Sequence, residues 1–175
     1  YRFMQDVYAC IQSRIDAMEA PNRIEIVLQS QFMGEEAREI FLETFEEERT
    51  NTLIGFCVMG GIFSEGIDLT AERLIGAAIV GTGLPQVCNE REILKRWFDE
   101  GGMSGFDYAY LYPGMNKVLQ SAGRVIRTEE DAGVIMLLDD RFLDRRYLET
   151  FPREWSDFQV CGLKTVGRAL GAFWS

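Results

Sequence analysis

Histidine is absent from this sequence of 175 residues, and cysteine and proline are scarce, with four of each. Without histidine, the chain lacks the Ser/His or Cys/His pair on which conventional hydrolases depend. The cysteines stand far apart, with no Cys-x-x-Cys pair, so the sequence argues against a zinc or iron–sulfur site and predicts no metal ligands. Cys57 lies inside an apolar run, which predicts a buried, small hydrophobic side chain.

Long hydrophobic runs and a secretory pattern at the N-terminus are also missing. Their absence favours a cytoplasmic location with no membrane partner. The net charge of −10 argues against a surface that coats nucleic acid all round, although basic stripes remain at 124–127 and 141–146. The length is sufficient for one domain with a sizeable core. Because the sequence opens on Tyr1 rather than Met, we expect a fragment of a longer chain.

Strand and helix patterns alternate along the chain. Short apolar runs predict strands at 24–28, 53–59, 74–80 and 134–138, and their apolar character is typical of a parallel sheet covered on both faces. Amphipathic spacing predicts helices over 3–19, 34–49, from Asn89 to Gly101 and from Pro113 onward, with Asn89 and Glu92 as a capping box for the third. The pattern predicts an α/β sandwich, in which ligands lie beyond the carboxyl ends of the strands.

One polar face stands out on the helix after Pro113. At about 100° per residue, Gln120, Arg124 and Arg127 share an arc of roughly 60°. The opposite face is apolar and predicted to be buried: Met115, Val118, Leu119, Ala122, Val125 and Ile126. Arginine suits phosphate because its planar fork donates several hydrogen bonds and stays charged. A solvated polar face is the simpler interpretation of the same spacing.

A glycine-rich loop follows the second predicted strand, Gly60-Gly61-Ile62-Phe63-Ser64-Glu65-Gly66-Ile67-Asp68. Glycine lets the backbone approach a ligand closely, and the two carboxylates could face sugar hydroxyls or a metal-bound water. A tight turn without a ligand explains the same glycines. The loop is neither a Walker A nor a dinucleotide fingerprint, and the segment 81–83 fails the same tests.

Taken together, two stretches resemble one family. Residues 61–69 resemble motif V of the DinG-type, XPD-like branch of superfamily 2 DNA helicases, and residues 120–127 resemble its motif VI. Residues 131–141 are similar to the strand that follows. The resemblance covers most of the chain and implies the second of two RecA-like motor domains over 1–175, with 153–175 as a helical extension. It implies a three-layer sandwich with a largely parallel central sheet.

The resemblance also implies functional residues. ATP with Mg²⁺ would lie between this domain and the first motor domain, with Arg127 on the γ-phosphate, Arg124 beside it and Gln120 assisting. Three residues of the loop would serve the nucleotide side of the site: Glu65, Gly66 and Asp68. Three others would lie near the backbone of single-stranded DNA: Gly61, Ile62 and Ser64. An arginine supplied by a separate domain accelerates phosphoryl transfer by ~10³–10⁵.

Departures from the family pattern limit this chain alone. It has neither a Walker A motif nor an Asp-Glu-x-His box, so the isolated fragment should not hydrolyse ATP. The iron–sulfur cluster implied by the family belongs to the first motor domain. The strand that the family places before the position of Tyr1 is missing, which predicts an exposed sheet edge and self-association through it.

Other functions fit parts of the sequence. A non-catalytic RecA-like interaction module is the main alternative, although it would have no need for the polar residues of both motifs. A stand-alone Rossmann-type nucleotide or sugar-phosphate enzyme ranks last, because a phosphate loop and a general base are missing. The sequence leaves open whether Tyr108, Tyr110 and Tyr112 stack on bases or pack within the fold.

Overall fold

The computed structural model describes residues 1–19, 23–60, 74–126, 128–129 and 131–175. Its helices and strands follow one another in the predicted order. The N-terminal part contains α1 (Arg2–Asp16), β1 (Ile24–Leu28), α2 (Glu35–Glu46) and β2 (Thr52–Phe56). The rest contains β3 (Gly76–Val80), α3 (Asn89–Glu100), a π-helix (Asp107–Leu111), α4 (Tyr112–Ala122), β4 (Val134–Leu138), a 3₁₀ turn (Asp140–Leu143), α5 (Arg145–Leu148), a second 3₁₀ turn (Arg153–Trp155) and α6 (Val166–Trp174).

The strands pair in parallel, which confirms the α/β class. β1 pairs with β2 from Ile24 opposite Thr52 to Leu28 opposite Phe56, and β3 pairs with β4 from Gly76 opposite Val134. The described residues therefore form two two-stranded sheets, where the sequence predicted one central sheet. Most strand residues are half-buried, because each sheet is only partly covered by helices.

The main core surrounds α4. Its buried members come from β3, the π-helix, α4 and the segment after β4: Ile79, Leu111, Met115, Val118, Ala122, Phe142 and Tyr147. Pro113 lies in the first turn of α4, as predicted, but α4 continues directly from the π-helix. Proline has no N–H to donate there, and the carbonyl of Ala109, four residues earlier, accepts a hydrogen bond from Arg91 at 2.7 Å. Burying one apolar face of α4 in this way fixes its axis against β3.

The predicted inner faces are partly wrong. On α4, Met115, Val118 and Ala122 are buried, but Ile126 lies beyond the helix and is 46% exposed. On α2, helical spacing predicts an inner face of Ala37, Ile40, Phe41 and Phe45. Phe41 is buried and Phe45, whose ring covers Gly55 of β2, is half-buried, whereas Ala37 and Ile40 are exposed.

The start of α3 also differs from the prediction. Its N-cap residue is Cys88, and no side chain caps the helix, so Asn89 and Glu92 do not form a capping box. Glu92 instead accepts a hydrogen bond from the hydroxyl of Tyr110. Because the acceptor is a carboxylate, this hydrogen bond favours the protonated hydroxyl and raises the pKa of Tyr110 to about 12. α3 is therefore held against the π-helix by a side-chain contact in place of a cap.

The C-terminal part ends in an exposed helix. α6 has no buried residue. The spacing of Leu163, Val166, Leu170 and Phe173 predicts one face of an amphipathic last helix, but Leu163 precedes α6 and is fully exposed. Among the residues that the structure describes, no helix is both long and apolar enough to cross a bilayer.

Candidate functional site

The start of the glycine-rich loop is fixed by a residue from the neighbouring strand. Gln29, directly after β1, is 3% exposed, and its side-chain carbonyl accepts a hydrogen bond from the backbone N–H of Val58 at 2.7 Å. Its backbone N–H donates to the carbonyl of Phe56, and its amide donates to the Tyr1 hydroxyl. The segment that leaves β2 is thus held at the carboxyl edge of the sheet, where α/β folds bind ligands.

Gly60 brings this segment onto α4. Its φ of +77° lies in the left-handed region, which glycine adopts without strain. The point at which a Cβ on residue 60 would stand lies 3.0 Å from Cδ and Cε and 3.1 Å from Nζ of Lys117. The Lys117 side chain therefore runs directly across the backbone of Gly60. The residue before the motif V stretch thus meets the helix that leads into the motif VI stretch.

The loop after β3 packs on the beginning of α4. A Cβ on Gly114 would stand 2.7 Å from the carbonyl oxygen of Thr82, and one on Gly83 would stand 2.7 Å from the carbonyl oxygen of Gly114 and 3.3 Å from Sδ of Met59. Gly83 has a φ of +65°. We call this contact region the α4 junction, formed by Met59, Gly60, Thr82, Gly83, Gly114 and Lys117.

The junction contains an unsatisfied polar group. Thr82 is 1% exposed, and its hydroxyl has no hydrogen-bond partner among the residues that the structure describes. Such a group costs about 1–3 kcal/mol when it is removed from water. The junction is therefore tightly packed around one polar atom that its surroundings do not satisfy.

The sequence predicted that Gln120, Arg124 and Arg127 lie on one helix, and this is wrong for Arg124. Gln120 lies on the exposed face of α4, but the helix ends at Ala122, and Gly123 is its C-cap. Arg124 is half-buried in the turn that follows, which is closed by a hydrogen bond from the Val125 N–H to the Ala122 carbonyl at 3.0 Å. The helix therefore ends before Arg124, and the turn that follows buries Val125.

The remaining predicted site residues lie outside the described residues. These are Arg127 at the end of motif VI and the loop residues Gly61, Ile62, Ser64, Glu65, Gly66 and Asp68. Their roles stay predictions. The structure does show that Gly60, the residue before the predicted loop residues, contacts Lys117 about one helical turn before Gln120.

Cys57 differs from its prediction. The residue is exposed, since it lies just after β2 ends at Phe56. Desolvation of its sulfur nevertheless raises the pKa of the thiol to about 11, so it stays protonated at neutral pH. A protonated thiol is a poor nucleophile and a poor metal ligand. Cys57 is therefore not a reactive group of this site.

The basic stripe at 141–146 is largely neutralised by acids. Arg141 donates to both carboxylate oxygens of Asp139, which lowers the pKa of that carboxyl below its usual range. Arg145 pairs with Glu149 at 2.8 Å, and Arg146 lies 3.8 Å from Asp107. A shallow pocket here is lined by Phe106, Arg141, Asp144, Arg145, Arg146 and Tyr147. Its cations already have carboxylate partners, so it does not form a strong site for nucleic acid.

The three tyrosines of this region differ in burial. Tyr110 is 5% exposed, and the ring of Tyr108 stacks on Phe98 with a centroid separation of 4.2 Å. Tyr112 meets Tyr108 edge to face. Tyr110 therefore packs within the fold, whereas Tyr108 and Tyr112 are 40% and 41% exposed.

Metal ligands do not converge in the part of the chain that the structure describes. No group of three or more histidine, cysteine, aspartate or glutamate residues lies close enough there to hold an ion. The four cysteines belong to separate places: α1, the segment after β2, the residue before α3 and the segment before α6. These residues do not fit an iron–sulfur cluster, which needs four converging thiolates.

Sequence reasoning missed three residues of the site region, namely Gln29, Thr82 and Lys117. The signal for Gln29 was a polar residue directly after an apolar strand. Thr82 lies between two glycines after another strand, and Lys117 precedes motif VI by one helical turn. Only three-dimensional contacts show that Gln29 bonds to Val58, that Thr82 packs on Gly114 and that Lys117 crosses Gly60.

Comparison with known proteins gives a consistent result. Residues 1–158 match the family described as the helicase C-terminal domain. A probable ATP-dependent helicase of Methanocaldococcus jannaschii is 28% identical over 150 residues, covering 81% of this chain and 22% of that protein. The ATP-dependent DNA helicase DinG of Photobacterium profundum is 32% identical over 128 residues, covering 72% and 18%.

A third relative comes from an animal. The regulator of telomere elongation helicase 1 homolog of Caenorhabditis elegans is 28% identical over 141 residues, covering 71% of this chain and 14% of that protein. The chain thus spans between about a seventh and a fifth of the length of these relatives.

Proposed function

Because the chain belongs to the family of helicase C-terminal domains, of the DinG-type and XPD-like kind, we propose that it is the second motor domain of an ATP-dependent DNA helicase. In this proposal the domain extends over 1–175, with 153–175 as a helical extension. The protein would use ATP with Mg²⁺, held mainly by a first motor domain. Single-stranded DNA and that first domain would be its partners.

One observation carries the proposal. The residue before the motif V stretch and the helix that leads into the motif VI stretch are separate in sequence, but Gly60 and Lys117 are in contact. α4 is anchored by a buried face, so the residues at its C-terminal end are held by the core. A motor domain needs this connection, because its nucleotide site and its DNA site are coupled only through packed elements whose conformational equilibrium both ligands shift.

The proposed chemistry is charge neutralisation at a phosphoryl group. Arg127 would donate to the γ-phosphate, with Arg124 beside it and Gln120 assisting from the exposed face of α4. Glu65, Gly66 and Asp68 would lie on the nucleotide side of the loop. Phosphoryl transfer is accelerated mainly by positioning and by stabilising charge, so residues with no acid–base role are sufficient.

DNA contact is proposed for the beginning of the loop. The backbone N–H groups of Gly61 and Ile62 and the hydroxyl of Ser64 would donate to phosphates. Such contacts carry no base information, which suits a motor that moves over any sequence. Self-association through an exposed sheet edge is a separate proposal, supported by the fact that the described residues form sheets of only two strands.

The test requires a protein that contains both motor domains. Arg127→Ala should reduce DNA-stimulated ATP turnover by about 10³-fold or more, because the arginine stabilises the transition state. ATP binding should persist, since the first domain holds most of the nucleotide. Arg168→Ala is a matched control, because it removes an exposed arginine from α6.

The alternative, a non-catalytic interaction module, predicts a different result. In that case the protein with both domains would show no DNA-stimulated ATP turnover, and Arg127→Ala would change nothing. Normal turnover in the Arg127→Ala protein would remove the arginine-finger role. The 175-residue chain alone should hydrolyse no ATP in either case.

A further inference from the structure

Lys117 is a cation whose position the fold fixes. It lies in the middle of α4, between the buried residues Met115 and Val118, and its own side chain is half-buried. The side-chain carbons Cδ and Cε pass over Gly60, and Nζ lies 3.1 Å from the point where a Cβ on residue 60 would stand. The ammonium is thereby held where the segment 61–73 begins.

This ammonium has no carboxylate partner within the described residues. The chain contains 28 acidic residues, and Lys95 pairs with Asp99 at 2.8 Å, but no such pair is formed by Lys117. A half-buried charge gains from an anion close to it, because part of its hydration is already lost. The surroundings of Lys117 therefore favour a ligand that carries negative charge.

We propose that Lys117 binds a phosphate of the single-stranded DNA backbone beside Gly60, where its ammonium is held. The inference rests on the proposed function, because it assumes that DNA lies at this edge. A lysine ammonium acts as a compact point charge for phosphate and can reorient its three donors as the strand moves. Contact between its stem and Gly60 reduces the side-chain freedom that binding would otherwise remove.

The position favours DNA over the nucleotide. Gly61, the first residue of the proposed DNA-contacting set, follows Gly60 directly in the chain. The residues proposed for the nucleotide come later, at 65–68 and beyond the C-terminal end of α4. Lys117 lies about two helical turns before Arg124, roughly 10 Å along the helix direction.

The first experiment uses the protein with both motor domains and a fluorescent oligothymidylate at several salt concentrations. Lys117→Met removes the charge and keeps the length of the stem that covers Gly60. We expect weaker binding and a slope of log affinity against log salt that falls in magnitude by about 1, the signature of one lost phosphate contact. Lys117→Arg should keep most of the slope, and Lys164→Met, which removes an exposed lysine, should match the wild type.

The outcomes separate the two levels of the proposal. If Lys117→Met binds DNA with the wild-type affinity and slope, this inference is wrong while the helicase function stands. If Lys117→Met instead weakens ATP binding and leaves the salt dependence of DNA binding unchanged, the inference is also wrong. Lys117 would then bind a phosphate of the nucleotide and not one of DNA. If the wild-type protein shows neither DNA binding nor ATP turnover, the proposed function itself fails.

A second experiment needs no variant and so does not depend on folding of a mutant. The wild-type protein is acetylated with a lysine-reactive reagent, with and without oligothymidylate, and each lysine is followed by mass spectrometry. Bound DNA should slow modification of Lys117 several-fold and leave Lys164 unaffected. Equal rates for Lys117 in both samples would overturn the proposal.

Discussion

Thr82 shows how a single polar atom can mark a constrained region. Its hydroxyl is buried without a hydrogen-bond partner in the described part of the chain, and the residue lies between two glycines whose φ values are +83° and +65°. The backbone of this turn is committed to contacts with Gly114, so the side chain cannot move outward without separating α4 from the loop after β3. The hydroxyl therefore destabilises the fold while the backbone around it stabilises the junction.

Replacing this hydroxyl should not weaken the chain. Thr82→Val has nearly the same shape and removes the unsatisfied group, so we expect the free energy of unfolding to rise by roughly 1 kcal/mol. Thr150→Val is the matched control, because the Thr150 hydroxyl donates to the carbonyl of Tyr147 at 2.6 Å. That change should lower the free energy of unfolding by about 1 kcal/mol. Urea denaturation of the three proteins would measure both effects, and equal destabilisation by the two changes would contradict this account.

At the scale of elements, α4 contacts the described segments that surround the candidate site. Its first turn packs on the loop after β3, its middle contacts the segment after β2, and the turn that carries Arg124 follows its last residue. Periodicity in the sequence predicted the helix and most of its buried face. It could not predict the early end at Ala122, because the apolar spacing continues through Val125 and Ile126. The C-cap Gly123 was the local signal for that end.

Close packing of α4 makes Gly114 irreplaceable. A Cβ there would stand 2.7 Å from the Thr82 carbonyl oxygen and 3.0 Å from the Leu84 nitrogen, and neither backbone atom can move alone. We expect Gly114→Ala to lower the free energy of unfolding by about 2 kcal/mol or more, despite the higher helix propensity of alanine. Gly167→Ala in α6, where nothing lies within 4 Å, should raise it by up to ~1 kcal/mol. A neutral result for Gly114→Ala in thermal or urea unfolding would show that the junction is loosely packed.

At the scale of the whole molecule, the sequence was sufficient for the class of fold, the parallel strand pairing and the family. Those features depend on patterns that extend over many residues, such as apolar runs and the order of two motifs. The bounds of β1 and β4 were predicted to the residue because turn residues flank both apolar runs. The pairing of Arg141 with Asp139 and the position of Lys117 over Gly60 depend on single contacts, which no periodicity encodes.

The central claim is that this chain completes an ATP site whose larger part belongs to another domain. The most direct measurement is a structure of the protein with both motor domains, bound to an ATP transition-state analogue and single-stranded DNA. We predict the guanidinium of Arg127 within hydrogen-bond distance of the γ-phosphate mimic, about 2.7–2.9 Å, with Arg124 beside it. A cleft in which both arginines lie beyond reach of the nucleotide would contradict the account.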